Sequence, residues 1–138
     1  MHKTRLWGRL GLLWSLLLLG CQGYTQSGVK TIENQTMSGG TLSVSIGKAN
    51  GTATEDIEIG SLAGPALDAD VTLSVGRGSY KIELLGDEDQ VTLALEAANG
   101  QTVSGQGWMA TDSFGEAHYR VMAVGAQEVN YTIDYTFR

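Results

Sequence analysis

From residue 41 onward, apolar and polar residues alternate with a period of two. This is the mark of strands with one face on a core and the other in water. Leu42, Val44 and Ile46 alternate with Thr41, Ser43 and Ser45; Val71, Leu73 and Val75 alternate with Thr72 and Ser74; Tyr80, Ile82 and Leu84 alternate with Lys81 and Glu83. Residues 57–59, 91–95 and 117–123 repeat the pattern. The last run is the cleanest, with Val129, Tyr131, Ile133, Tyr135 and Phe137 on one side and Asn130, Thr132, Asp134, Thr136 and Arg138 on the other. Residues 30–37 form a weaker candidate, and residues 101–104 a short edge.

Turn residues separate these runs: Ser38-Gly39-Gly40, Asn50-Gly51, Gly76-Arg77-Gly78, Asn99-Gly100 and Gly125-Ala126. Gly and Asn supply the positive φ that tight turns need. Only residues 58–69 have room for a helical turn, and Pro65 interrupts them. The pattern predicts an all-β fold, an antiparallel β-sandwich of about seven to nine short strands over residues 30–138. Most of the runs, at five to seven residues, fall short of the roughly 9–11 that a membrane-spanning strand needs.

The first twenty residues break the pattern. Residues 1–11 carry Lys3, Arg5 and Arg9 and no acid, and residues 12–19 are apolar except for Ser15. A charged segment, a short apolar segment and a small residue before a cleavage point make a secretory signal. A run of eight residues is too short to span a bilayer, which takes about 20. The tetrapeptide Leu18-Leu19-Gly20-Cys21 that follows resembles the lipobox of bacterial lipoproteins. The resemblance implies cleavage before Cys21, acylation of its thiol and amino group, and anchoring in a membrane through that lipid. One acyl chain binds only marginally, whereas two or three hold a protein in place. Gln22 is not the Asp that signals inner-membrane retention in that family. The expected location is therefore extracytoplasmic: the outer membrane where the host has one, otherwise the outer face of the cytoplasmic membrane. The organisation reads as a signal peptide over 1–20, lipidated Cys21 with a flexible tether over 21–29, and the sandwich over 30–138. Eight flexible tether residues would span about 15 Å.

Charge narrows the partners. The chain holds nine Lys and Arg against fifteen Asp and Glu. Removing residues 1–20 takes three of the basic residues and leaves six against fifteen, a net charge of −9. No nucleic acid is expected as a partner. Anionic headgroups would repel that charge, so the domain is expected to stand off the membrane rather than lie on it.

Candidate chemistry is sparse. Cys21 is the only cysteine, which excludes an internal disulfide and a multi-Cys zinc site. No metal site and no cofactor are expected. His118 is the one histidine outside the first twenty residues and alternates outward with Arg120; no Gly-x-Ser-x-Gly elbow accompanies it. No catalytic residue is assigned. Acidic turns stand at Asp87-Glu88-Asp89, Asp68-Ala69-Asp70 and Asp112 with Glu116. The most unusual stretch is residues 105–116, which hold Trp108 and Phe114. It reads either as a binding loop presenting Trp108 and Phe114 to a partner or as a plug closing one end of the sandwich. The sequence thus predicts a non-enzymatic binding or structural module of the cell envelope, its partner an envelope protein or glycan. The alternatives are a calcium- or carbohydrate-binding module and, less well founded, an envelope hydrolase.

Overall fold

A computed structural model describes residues 23–60 and 64–138. Seven antiparallel strands make up the structure: β1 (Thr25–Ser27), β2 (Lys30–Gln35), β3 (Gly39–Glu58), β4 (Ala66–Leu85), β5 (Val91–Ala98), β6 (Gln101–Ala110) and β7 (Glu116–Phe137). A 3-10 turn over Asp87–Asp89 joins β4 to β5.

Three strands are far longer than the alternating runs predict. β3 and β4 have 20 residues each and β7 has 22. Three segments expected to reverse the chain instead kink it within a strand. The register slips between Ala49 and Gly51 in β3 and between Arg77 and Ser79 in β4, and β7 matches both slips around Gly125. Gly51, Gly78 and Gly125 take positive φ there, at 100°, 72° and 52°. A bulge with a left-handed glycine bends a strand sharply without ending its pairing. The period of two resumes on each side of each bend, so one strand reads in sequence as two.

The bends fold the sheet back on itself into the two layers of a β-sandwich. One layer runs β2, the first half of β3, the second half of β7, the first half of β4, then β6. The other runs the second half of β3, the first half of β7, the second half of β4, then β5. Leu42, Val44, Val71, Leu73, Val129 and Ile133 of the first layer meet Ile57, Tyr80, Ile82, Leu84, Tyr119 and Val121 of the second in one core. Gly105 and Gly107 of β6 face Leu93 and Leu95; a Cβ at Gly107 would lie 2.6 Å from the Leu93 Cβ. These glycines let the β5 side chains close that edge. The outward positions Thr41, Ser45, Asp134 and Asn130 bond across strands, Thr41 to Asp134 at 2.7 Å and Ser45 to Asn130 at 2.7 Å. Such a polar surface is unlike the apolar outer band of a membrane barrel, and strand length no longer decides that point.

The expected tether is shorter than the sequence predicts. Thr25–Ser27 pairs with residues 48–50 of β3, and the Thr52 amide donates to the Gly23 carbonyl at 3.2 Å. Cys21 lies outside the described residues.

Candidate functional site

The expected aromatic loop does not exist as one element. Residues 105–110 belong to β6, and only Thr111–Gly115 forms the turn into β7. Trp108 is half-buried on the outer side of β6, level with Asp68 of β4. The Arg138 guanidinium lies 5.1 Å from the centre of its ring and is held by Asp68 at 2.9 Å. Thr92 of β5 fixes the Trp108 backbone by accepting from its amide at 3.1 Å and donating to its carbonyl. Phe114 stands 83% exposed at the turn. The structure brings no ring contact between Trp108 and Phe114 among the described residues. Neither residue closes the core; Met109, fully buried between them in sequence, does.

The same turn carries a feature that the sequence did not disclose. His118 Nδ1 meets Asp56 at 2.5 Å, and its Nε2 meets Asp112 at 2.8 Å. Asp112 also accepts from the amides of Phe114 at 2.8 Å and Glu116 at 3.0 Å. Those amides, first of all that of Glu116, and then His118 hold the Asp112 carboxyl below its ordinary range. Partial burial opposes charge on His118, but the hydrogen bonds its ring makes to the Asp56 and Asp112 carboxylates outweigh it, so its pKa is raised. Burial, then the nearby Asp56 and Asp112 carboxylates, push Glu116 up. Both ring nitrogens of His118 are engaged by carboxylates. Such a ring clamps two strands and a turn; it has no free nitrogen with which to take a proton from a nucleophile. Sequence alternation placed His118 outward, but its partners come from β3 and the turn before β7, which only the folded register brings together.

His118 and Asp112 form one wall of an open cleft of about 240 Å³, with Asp87, Glu88 and Asp89 on the other. Two of the three acidic turns thus share a cleft, whereas Asp68 and Asp70 lie on β4. Among the described residues no three His, Cys, Asp or Glu side chains converge as a metal site would require.

A second concentration of polar groups lies between the layers. Tyr80 and Tyr131 stack at 5.9 Å, and Tyr119 meets Tyr131 edge-on at 6.0 Å. Their hydroxyls bond in pairs, Tyr119 with Tyr131 at 2.8 Å and Tyr80 with Tyr24 at 3.3 Å. Burial drives the pKa of Tyr80, Tyr119 and Tyr131 well above the usual tyrosine range. Tyr119 and Tyr131 line a narrow cleft of about 140 Å³ whose mouth carries Gln26, Thr31, Glu33 and Glu55. Burial, then the neighbouring Asp56, raises the Glu55 pKa. Glu55 makes no ion pair among the described residues. Alternation placed the tyrosines inward correctly; it did not show that Glu55 of the bent β3 would share their cavity.

No protein-family model and no curated protein matches the chain. Among solved structures it is similar to a CBM22-1 xylan-binding domain from Paenibacillus barcinonensis, at 14% identity and a TM-score of 0.38 over 85% of each chain. It is similar to a carbohydrate-binding module of a Cellvibrio mixtus lichenase, at 14% identity and a TM-score of 0.36, over 83% of this chain and 90% of that one. A Bacillus endospore appendage protein gives 13% identity and a TM-score of 0.43, over 83% of this chain and 95% of that one. Likenesses at this level assign neither a family nor a ligand.

Proposed function

We propose that this chain is a lipid-anchored, extracytoplasmic binding module of the bacterial cell envelope, without catalytic activity of its own. The observation that carries this reading is the sequence Leu18-Leu19-Gly20-Cys21 behind a basic and apolar leader. Cys21 stands two residues before Gly23 in the sequence, and Gly23 accepts a hydrogen bond from β3, so a lipid on Cys21 would tether the domain closely. The absence of catalysis is supported by His118, whose two nitrogens are both occupied by carboxylates. The test is Cys21→Ser in the full chain, followed by membrane fractionation and labelling with a clickable palmitate analogue. The wild type takes the label and stays with membranes through a carbonate wash; the variant does neither. A variant that still pellets, or a wild type that takes no label, overturns the reading.

A second reading, carbohydrate binding, is favoured by the tyrosine-floored cleft beneath Glu33 and Glu55. Amide, hydroxyl and carboxylate groups beside aromatic rings suit neutral sugars. Retardation of the domain in polysaccharide-containing native gels, lost on Glu55→Gln, is its expected signature.

A further inference from the structure

The charge of this domain is not spread evenly, and its polarity is aligned with its N-terminus. Every bend lies at one end of the sandwich. The Gly125 amide donates to the Asn50 side chain at 3.0 Å, the Gly78 amide to the Asn99 side chain at 3.0 Å, and the Gly100 amide to the Val75 carbonyl at 2.7 Å. Gly23, the first described residue, is bonded to Thr52 in this same row. The exposed charges at the bends are Lys48, Arg77 and Glu128, with Lys30 and Glu96 a few residues further along and cancelling each other, and Val124 stands 70% exposed among them. Neither Lys48 nor Arg77 makes a salt bridge among the described residues.

The opposite end is acidic. There the strand ends and loops carry Glu58, Asp87, Glu88, Asp89, Asp112 and Glu116. β3 returns to this end after its bend, as shown by Gln35 Nε2, which donates to the Glu58 carbonyl at 3.2 Å. Half-strands of roughly ten residues at about 3.3 Å each separate the two ends by about 30 Å. That exceeds the Debye length of about 8 Å at physiological ionic strength several times over.

We infer that the bend end, with Lys48, Arg77 and Val124, is a membrane-contacting surface that seats on anionic lipid headgroups while the acidic end points away. The inference rests on the lipid-anchor reading. Cys21 precedes Gly23 by two residues, which at most spans about 7 Å. Acyl chains leaving from there hold the bend end, and no other, against the bilayer. An evenly spread net charge of −9 would stand off anionic lipid; the observed segregation removes that repulsion where contact occurs and leaves the carboxylates in solution.

The test uses the full lipidated protein in vesicles containing phosphatidylglycerol. Acylated Cys21 leaves an introduced cysteine as the only free thiol. Val124→Cys and Asp87→Cys are each labelled with a fluorophore and quenched by headgroup spin-labelled lipid. The expected result is several-fold stronger quenching at position 124 than at 87. The contrast should shrink when Lys48→Glu and Arg77→Glu are added, and the two added changes should matter little on purely zwitterionic vesicles. Equal quenching at both sites, with the protein bound, overturns the orientation alone. Recovery of unacylated protein away from the vesicles overturns the anchor reading and the orientation with it.

Discussion

His118 illustrates how a side chain that alternation marks as merely outward acquires a role from its neighbours. It ties Asp56 of β3 to Asp112 of the turn before β7. Its pKa lies above the ordinary value of 6.5 and that of Asp112 below the ordinary 3.8. A group with a raised folded pKa contributes fully below its unfolded value and loses that contribution as pH rises through the folded value; a depressed carboxyl does the reverse. The clamp is therefore strongest between about pH 4 and 6.5. Melting curves of wild type and His118→Gln should differ most near pH 6, and the gap should narrow by pH 8. A gap that widens with pH would rule out the charged clamp. Phe114 and Trp108 separate equally cleanly. Phe114, 83% exposed, should cost less than about 0.5 kcal/mol on truncation to Ala. Trp108 is half-buried under Arg138, so Trp108→Ala should cost about 2 kcal/mol, below the 3–5 of a fully buried ring. Denaturant titration of both variants checks the ranking, and a larger loss from Phe114→Ala would contradict the placement.

At the scale of elements, the alternation of residues 42–46, 71–75, 80–84 and 129–137 was legible as strands with the correct inward faces. What was not legible was their joining. Asn50-Gly51, Gly76-Arg77-Gly78 and Gly125-Ala126 carry the residues of a reversing turn, yet they serve as bulges, because the partner strand bends at the same level and keeps pairing. Local chemistry is the same in both cases; only the partner decides. Likewise β1 has three exposed residues and no periodic signal, so its pairing to β3 left no trace in the pattern. The bends make a sharp comparison. Gly78 and Gly125 both have positive φ, but a Cβ at Gly78 would overlap the Gly125 carbonyl, whereas one at Gly125 meets nothing within 4 Å. Gly125→Ala should cost only the left-handed strain, about 1–2 kcal/mol. Gly78→Ala adds a backbone overlap and should cost about 3 kcal/mol or more. Equal losses in a thermal melt would mean that the bends do not pack as described.

At the scale of the whole molecule, the segregated charge by which we propose that one end meets a membrane burdens the other. Asp87, Glu88 and Asp89 face Asp112 across a single open cleft, and among the described residues His118 is the only cation paired with that cluster. Mutual repulsion among them opposes folding, because the unfolded chain lets them move apart. Added salt should relieve it: the Debye length falls from about 30 Å at 0.01 M to about 8 Å at 0.15 M and about 3 Å at 1 M. The clamp, the Arg138–Asp68 pair and the ion pairs of Glu83 with Arg120 and Lys81 work in the opposite direction, since screening weakens attraction too. They are few and partly exposed, however, and such pairs each contribute little. Repulsion should therefore win. The domain beginning at Gln22 should melt several degrees higher in 0.5 M NaCl than in 0.01 M, a shift worth about 1 kcal/mol. Asp87→Lys should reproduce part of that gain at low salt and add little at high salt. Glu128→Lys, at the end where Lys48 and Arg77 already stand, should give no comparable gain at either. A melting temperature that falls with salt, or a Glu128→Lys gain matching that of Asp87→Lys, would show that the acidic end carries no excess repulsion and that the two ends are electrically alike.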